Sequence, residues 1–280
     1  MRHLQNLKRR SRIKDLFPLL LRLARRHDAV FKPKEMSVMK QTSPKRFPKM
    51  SYVGIDGVLI RFGAEMSEAV NAAALAFHQH ISRASIEGVL ESAPSLTAVY
   101  LRLDIKADPV ALLGAITLEL EAQDWFAIKR EHARRWVIPC SFDGPQLAEA
   151  AKLAGVSEAQ AVKQITETEL RVFTLGFAPG QPYLGSLEPH WNIPRMDGVA
   201  PNVPAQALVV AVAQVIIFAN AAPTGWRHIG QTAFRCFDQE RSEAFAFQAG
   251  DLVQFQSAAR SEIDALTGES FGGARLEVLS

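Results

Sequence analysis

Two segments rich in proline and glycine hold the residues whose types and spacing could serve chemistry. Gly176–Arg195 reads GFAPGQPYLGSLEPHWNIPR, and Ala222–Asp238 reads APTGWRHIGQTAFRCFD, with VPA (Val203–Ala205) and a single Gln214 between them. Proline fixes φ and removes a backbone donor, whereas glycine lets the backbone approach closely, so such loops are rigid and expose amides. They could bind an anion or a small polar ligand, or they could only turn corners.

Conventional catalytic motifs are scarce. The sequence holds no GxSxG, GxxxxGK[ST] or HExxH pattern, which disfavours α/β-hydrolase, P-loop and zincin chemistry. His78 and His80 stand two apart on a predicted helix and so face different sides, which argues against a metal pair. Cys140 and Cys236 lack CxxC spacing, so we expect no disulfide framework, no metal site, and a reducing, cytoplasmic location. No residue stands out as a nucleophile or general base.

The elements that must position these loops form two groups, and the first spans residues 50–133. The strand-like run YVGIDGVLIRFG precedes SEAVNAAALAFHQHI, whose apolar residues recur at helical spacing behind the candidate N-cap Ser67. GVLESA and TAVYLRLD read as two further strands, and Pro109–Gln123 as a second helix with proline in its first turn. We predict a small α/β sandwich, with both helices on one face of an antiparallel sheet.

The second group spans residues 134–262, beyond a charged connection at Lys129–Trp136. WVIPCSF reads as a strand, and short helices follow behind Asp143 and behind Ser157, where Gln160 completes a capping box. Strand patterns separated by Gly- and Pro-rich turns come next and are typical of a β-barrel. They cover Leu170–Phe177, Ala207–Ala219, Thr232–Phe237 and Asp251–Gln256. The predicted fold class is α+β, with residues 263–280 as a linker-like tail.

Charge is divided unevenly along the 280 residues, although the formal net charge is only +3. Residues 1–50 hold 15 Lys and Arg against 3 Asp and Glu, whereas residues 51–280 hold 17 against 26. The basic charge therefore precedes the core-forming elements, which argues against a nucleic-acid partner. Because 48% of the residues are hydrophobic but no apolar run approaches about 18 residues, we expect a globular protein without a membrane span.

Residues 1–49 form a basic extension that we predict to be disordered. Its apolar run, Leu16–Ala24, contains proline and arginine and is followed by two arginines instead of a small-residue cleavage site, so it is a poor secretory signal. Two interpretations stay open. The extension could be an organellar transit peptide, or an untranslated leader before a natural start at Met50.

The order and spacing of the loops resemble a known family. LGFAPGQPYLGSL, IPR, VPA, the lone Gln and PTGWRHIGQTAFRCFD resemble its pattern LGFxPGxPYLGGL, TPR, VPAGSVGI, QTG, PGGWxLIGxT and LFD. The family holds the B subunit of ATP-dependent 5-oxoprolinase, allophanate hydrolase subunit 1, the matching carboxyltransferase subdomain of urea amidolyase and a bacterial histidine-kinase inhibitor. The resemblance covers residues 51–258, and its start favours Met50 as the natural start.

This resemblance implies a C-terminal cyclophilin-like β-barrel, ATP as cofactor, and a partner that resembles allophanate hydrolase subunit 2 or the C subunit of 5-oxoprolinase. The ATP site would be shared with that partner or located on it. The tail ARLEVLS resembles the partner's opening strand, typically IxVLxPG, as a fused second subunit would. Some positions depart from the family pattern: Gln181 replaces an aromatic residue, and a glycine-rich run is replaced by Gln206, Val209, Ala211 and Ile216. These departures indicate a divergent branch.

Roles follow for the matching positions. Arg195 and Arg227 would anchor a carboxylate or phosphate through charge-assisted, bidentate contacts, with a surface ion pair as the alternative for each. Gln214 and Thr232 would orient an amide substrate. Aromatic side chains would wall the pocket, unless they belong to a core, and prolines and glycines would shape its loops. These wall and loop residues are Tyr183, Trp226, Pro179, Gly180, Gly185, Pro204, Gly225 and Gly230.

Two functions fit these observations. The first is a subunit of an ATP-dependent hydrolase acting on non-peptide C–N bonds, of the 5-oxoprolinase or allophanate hydrolase type, in which ATP would phosphorylate the carbonyl of a small cyclic or ureido amide. The second is a regulatory binding protein that inhibits a histidine kinase. A closed polar pocket around Arg195 and Gln214 would favour catalysis, and an exposed apolar patch beside the loops would favour protein docking.

Overall fold

The computed structural model describes residues 47–128 and 133–279, and the first of these ranges forms a four-stranded antiparallel sheet with two helices. Its strand order is β1-β2-β4-β3. The helices and the sheet share one core, which includes Val58, Phe77 and Ile116. The elements are β1 (Lys49–Val53), β2 (Gly57–Arg61), α1 (Glu68–Ala84), β3 (Val89–Pro94), β4 (Ala98–Leu103) and α2 (Pro109–Glu121). The predicted mix of helices and antiparallel strands is confirmed here. Residues 1–46 of the predicted extension lie outside the residues that the structure describes.

Capping residues fix where the two helices begin. The Ser67 hydroxyl accepts a hydrogen bond from the Val70 amide at 3.2 Å, as predicted for the start of α1. α2 starts with Pro109 after Asp108, whose carboxylate accepts from the amides of the first turn. Each such cap stabilises its helix by about 1 kcal/mol.

An eight-stranded sheet organises residues 133–279, in the order β12-β9-β10-β7-β6-β13-β5-β14. All neighbours are antiparallel except β13, which runs parallel to β5. The strands of this sheet are β5 (Ala133–Cys140), β6 (Leu170–Leu175), β7 (Pro182–Gly185), β9 (Ala207–Ala211), β10 (Gln214–Ile217), β12 (Arg227–Gln231), β13 (Leu252–Ser257) and β14 (Arg275–Leu279).

Short elements cover the two faces of this sheet. Helices α3 (Leu147–Leu153) and α4 (Glu158–Glu167) bury apolar residues in the larger core. α4 begins with the predicted capping box between Ser157 and Gln160. The two-stranded antiparallel sheet of β8 (Ala200–Val203) and β11 (Ala222–Thr224) adds residues to a smaller core on the other face. Helix α5 (Arg260–Ala265) packs near β5.

The closed cyclophilin-like β-barrel that the family resemblance implied is not confirmed. The sheet has two ends, β12 and β14, and no ladder of the described residues joins them. One isolated bridge, between Ser141 and Gln231, ties the residue after β5 to the end of β12. The sheet is therefore strongly curled but open.

The predicted single strand Ala207–Ala219 is wrong, because the segment folds into the hairpin β9–β10. Its two turn residues, Val212 and Ala213, have φ values of +47° and +58°. Ala211 pairs with Gln214 directly across this turn. A run without glycine, asparagine or proline hid the turn from pattern analysis.

Other predicted elements also differ from the structure. The strand predicted at Thr232–Phe237 is wrong, because β12 lies just before these residues and ends at Gln231. The predicted cap Asp143 is engaged elsewhere, because its carboxylate binds the Arg260 guanidinium and α3 begins without a side-chain cap. The predicted charged connection ends in a strand, since β5 starts at Ala133 and its Trp136 is buried.

The tail predicted to be linker-like contains ordered elements. β14 pairs antiparallel with β5, and α5 begins just before the tail. An ion pair reinforces this edge, since the Arg135 guanidinium donates to the Glu277 carboxylate at 2.6 Å. Helices long and apolar enough to cross a membrane do not occur among the described residues.

Asn71 connects the first sheet to the second. This fully buried α1 side chain donates through Nδ2 to the Leu96 carbonyl at 3.1 Å and to the Phe173 carbonyl of β6 at 3.0 Å. The Thr174 hydroxyl adds a hydrogen bond to the Pro94 carbonyl of β3 at 3.3 Å. The two layers are thus joined by specific polar contacts.

Candidate functional site

Arg227, the first residue of β12, is the predicted site residue with the most distinctive environment. Its side chain is only 6% exposed. Its Nε donates to Glu149 Oε1 of α3 at 2.9 Å, and its Nη1 donates to the Pro194 carbonyl at 2.5 Å. A guanidinium carries five N–H donors, so these two contacts leave donors unused.

A cavity of about 370 Å³ opens beside Arg227. It is lined by Gln146 and Glu149 on one side and by residues 196–200, which lead into β8, on the other. Gln146 is held in place because its Oε1 accepts a hydrogen bond from the His228 amide at 2.9 Å. Two carboxylates, Glu149 and Asp197, thus share this cavity with one guanidinium, so its ionisable side chains carry a net charge of −1.

Arg195 directly precedes the cavity-lining residues 196–200 in the sequence, but its contacts differ from those of Arg227. Its side chain is exposed, and its guanidinium carbon lies 5.3 Å from the centre of the Trp226 ring, a cation–π contact. Trp226 is 5% exposed and meets Tyr183 edge-on, with 6.5 Å between the ring centres. Trp226 belongs to the smaller core and Tyr183 packs against it, as the core interpretation of these two rings expects.

Gln214 and Thr232 do not join Arg227 in one pocket. Gln214 is half-buried in β10, opposite Gly185 of β7. Thr232 is buried, and its hydroxyl donates to the Gln206 carbonyl at 3.1 Å and accepts from the Phe234 amide at 3.3 Å. It lines a second cavity of about 410 Å³, together with Pro204. The sequence-predicted pocket is therefore divided between two places.

The loop glycines matter mainly for packing. A Cβ on Gly230 would lie 2.5 Å from the Ser141 carbonyl oxygen, and one on Gly185 would lie 2.4 Å from the Phe173 ring. Gly180 has φ +71° and approaches the Cys236 carbonyl. Gly225 adjoins the Arg195 side chain, and Pro179 is exposed. Gly180, Gly185 and Gly230 thus allow close packing, and none of the five positions is part of the lining of the Arg227 cavity.

Comparison with known proteins now identifies the family. The family described as carboxyltransferase domain, subdomain C and D, matches residues 48–247. The chain belongs to this family. The family resemblance read from the loop motifs is thereby confirmed.

Named relatives agree with this assignment. The B subunit of 5-oxoprolinase from Bacillus subtilis (strain 168) is 29% identical over 234 residues, which are 79% of this chain and 98% of that protein. The crystal structure of TTHA0988 is 32% identical with a TM-score of 0.63, and the match covers 72% of this chain and 40% of that one. The crystal structure of K. lactis urea amidolyase is 14% identical with a TM-score of 0.64, and the match covers 82% of this chain and 16% of that one. At this identity the likeness shows a shared fold and nothing more.

The departures from the carboxyltransferase-domain pattern at Gln181, Gln206, Val209 and Ile216 fall away from the Arg227 cavity. Gln181, where the pattern has an aromatic residue, is 3% exposed, and its Oε1 accepts from the Ala219 amide at 3.3 Å. Val209 and Ile216, in place of glycines, belong to the smaller core. Gln206 adopts φ +60°, a conformation that glycine enters more easily. The substituted segment therefore serves packing in this member of the family.

Three cavity residues, Gln146, Glu149 and Asp197, were missed by sequence reasoning. Gln146 directly precedes the short helix α3 and Glu149 lies in its first turn, where polar residues normally face solvent. Asp197 lies in a loop. A buried guanidinium needs hydrogen-bond acceptors, preferably a carboxylate. Burial of Arg227 was therefore the one feature from which a nearby Glu or Asp could have been predicted.

The cysteines do not offer a nucleophile in this carboxyltransferase-domain chain. Both thiols are free and buried. Burial raises the pKa of Cys236 to about 12 and raises the pKa of Cys140 still further. A thiol that stays protonated is a poor nucleophile. Among the described residues, no group of three or more His, Cys, Asp or Glu side chains is arranged to hold a metal ion.

Proposed function

We propose that this chain is a non-autonomous subunit of an ATP-dependent amidohydrolase of the 5-oxoprolinase or allophanate hydrolase type, acting on a small cyclic or ureido amide together with a partner subunit. One observation carries the proposal: the chain matches 98% of the length of a relative named as the B subunit of 5-oxoprolinase. The name of that relative also supports a complex with further subunits.

The cavity beside Arg227 is the proposed substrate site. It combines a buried guanidinium with polar acceptors, which suits a small polar ligand better than a protein surface. The two buried, protonated thiols support a reaction completed with groups from the partner. That partner would resemble the C subunit of 5-oxoprolinase or allophanate hydrolase subunit 2.

ATP fits this cavity poorly. A triphosphate needs several cationic or backbone donors, whereas the cavity holds two carboxylates and one guanidinium that Glu149 already engages. The proposed ATP site therefore lies on the partner subunit or is completed by it. A cytoplasmic location belongs to the same proposal, supported by the two free cysteines.

A cyclophilin-like arrangement of residues 134–262, built on this curled and open sheet, is also part of the proposal. The bridge between Ser141 and Gln231 supports it, because it brings β12 to the end of β5. The proposed domain boundary lies near the start of β5, between residues 50–133 and residues 134–262.

The test is co-expression of the full chain with a subunit of the proposed partner type, followed by purification and measurement of ATP hydrolysis. We expect a stable complex whose ATP hydrolysis is stimulated by 5-oxoproline or by allophanate. Arg227→Lys should reduce the stimulated rate at least tenfold, since lysine cannot reproduce the two guanidinium contacts. Arg83→Lys, at an exposed position of α1, is the matched control and should leave the rate unchanged. No complex and no substrate-stimulated turnover would refute the proposed function.

A further inference from the structure

The Arg227 guanidinium is buried but not saturated. Nε and Nη1 are occupied by Glu149 and by the Pro194 carbonyl. Among residues 47–128 and 133–279, Nη2 has no acceptor within hydrogen-bonding distance. Nη2 keeps access to solvent, although the Arg227 side chain as a whole is only 6% exposed. A ligand in the adjoining cavity can therefore accept a charge-assisted hydrogen bond from it.

Glu149 offers the complementary group. Its Oε1 accepts from Arg227, while Oε2 has no partner among the residues that the structure describes. The side chain is half exposed and lines the same cavity. A donor, Nη2, and an acceptor, Oε2, are therefore carried by two side chains that are already bonded to each other.

This arrangement does not suit a carboxylate bound directly to Arg227. An anion on Arg227 would meet both Glu149 and Asp197, which line the cavity with it. Like charges in close contact raise each other's energy, and the single guanidinium is already neutralised by Glu149. A neutral group that both accepts and donates uses the two free positions without this penalty.

Resting on the proposed function, we propose that the Arg227–Glu149 pair recognises a planar cis-amide, as in a lactam, a ureido group or a primary amide. The amide carbonyl accepts from Arg227 Nη2, and the amide N–H donates to Glu149 Oε2. A cis-amide presents both groups on one edge, whereas the trans peptide bond of a polypeptide presents them on opposite edges. The pair thus selects small cyclic or terminal amides against peptides.

The test uses the full chain alone, without partner or ATP, and measures binding by calorimetry and by NMR titration. The probes are 2-pyrrolidinone, which is a lactam without a carboxylate, N-methyl-2-pyrrolidinone, which lacks the N–H, and L-proline, which has a carboxylate but no lactam. We expect saturable binding of 2-pyrrolidinone, at least tenfold weaker binding of the N-methyl compound and no saturable binding of proline. Equal binding of the N-methyl compound, preference for proline, or no binding of any probe would overturn the inference.

Two variants locate the binding. Glu149→Gln keeps the size of the side chain but removes its charge, and should weaken 2-pyrrolidinone binding at least fivefold. Glu158→Gln, at an exposed position in the first turn of α4, is the matched control and should bind as the unaltered chain does. Arg227→Lys tests the donor, with circular dichroism and thermal melting confirming that it folds. Unchanged affinity in Glu149→Gln and Arg227→Lys would place the amide elsewhere and overturn the inference.

The two proposals fail in different ways. If the complex hydrolyses ATP in response to an amide but the isolated chain binds none of the probes, the recognition site is refuted and the proposed function stands. If the isolated chain binds 2-pyrrolidinone through Arg227 and Glu149 but no active complex forms, the proposed function is refuted and the recognition site stands.

Discussion

His228, next to Arg227 in β12, makes the stability of the site region depend on pH. The residue is 8% exposed, and its Nε2 lies 2.9 Å from the Gly230 carbonyl oxygen. Burial lowers its pKa, and the positive charge of Arg260 lowers it further, while the Gly230 carbonyl and Asp143 raise it. The folded pKa is therefore below the unfolded value of about 6.5.

The direction of the pH effect follows from this difference. As the pH falls, the unfolded chain takes up the proton first, so the stability that His228 provides above about pH 6.5 is lost progressively below it. We expect His228→Gln to show a smaller decrease in Tm between pH 7.5 and pH 5.5 than the unaltered chain. Some decrease should persist, because burial also lowers the pKa of His78. His190→Gln, at an exposed position, is the control, and an identical decrease in His228→Gln and this control would contradict the prediction.

At the scale of single residues, the chemistry of a side chain was predictable but its surroundings were not. Arg195 and Arg227 both lie in Gly- and Pro-rich stretches of the sequence, and these contexts implied one role for both. Docking of α3 against β12 buries Arg227 and supplies Glu149, whereas Arg195 stays outside on Trp226. Contacts between elements far apart in sequence decide this difference, and local patterns carry no record of them.

At the scale of secondary-structure elements, the β9–β10 hairpin contains a strained turn that mutation can relieve. Val212 and Ala213 occupy both central positions of a two-residue turn with positive φ. Such turns strongly favour Asn-Gly, and the left-handed conformation costs other residues about 1–2 kcal/mol each. The double change Val212→Asn with Ala213→Gly should therefore raise the free energy of unfolding by about 1–2 kcal/mol.

Urea unfolding followed by circular dichroism measures this gain. The backbone bonds from Val212 and Ala213 to the carbonyls of Ile193 and Trp191 do not depend on the side chains, so the turn should keep its place. Val53→Asn is the control, because Val53 is 44% exposed against 41% for Val212 but lies in the regular strand β1. A loss of stability in the double variant would show that the Val212 side chain contributes more by packing than its backbone costs.

Elements with strong local signals were predicted well, and those without them were not. Ser67 and the Ser157–Gln160 capping box start helices where the sequence indicated, because a cap satisfies backbone donors within a few residues. The turn at Val212 has no such signal, since tertiary contacts impose it on residues that disfavour it. Likewise, pairing of β14 with β5 joins segments more than a hundred residues apart, which composition alone does not indicate.

At the scale of the whole molecule, family-specific motifs were more informative than periodicity. Strand and helix patterns predicted a small α/β sandwich followed by a β-barrel-like domain, and the ordered loop motifs predicted the carboxyltransferase-domain family that matches residues 48–247. Closure of the second sheet is set by strand pairing and curvature across many residues, so the motif pattern implied a barrel where the structure has an open, curled sheet. The contacts between the first and the second sheet also depend on residues far apart in sequence, and no motif indicated them.

Asn71 provides the sharpest test of how the two layers depend on each other. It is fully buried, its Nδ2 serves the Leu96 and Phe173 carbonyls, and its Oδ1 has no partner among the described residues. Asn71→Ala leaves two acceptors without their donor and opens a small cavity, so we expect a loss of about 2–3 kcal/mol in the free energy of unfolding. Asn202→Ala, at an exposed position of β8, should cost less than about 0.5 kcal/mol.

Hydrogen exchange measured by mass spectrometry distinguishes loss of this connection from general weakening. If Asn71 couples the layers, amides of β2 and β4 should gain exchange rate far more in Asn71→Ala than amides of β13 and β5, because the larger second core remains intact without the first. Asn71→Asp, which keeps the size but replaces the donor with a charge, should produce the same pattern more strongly. Equal acceleration in both layers would mean that they unfold as one cooperative unit even without this contact.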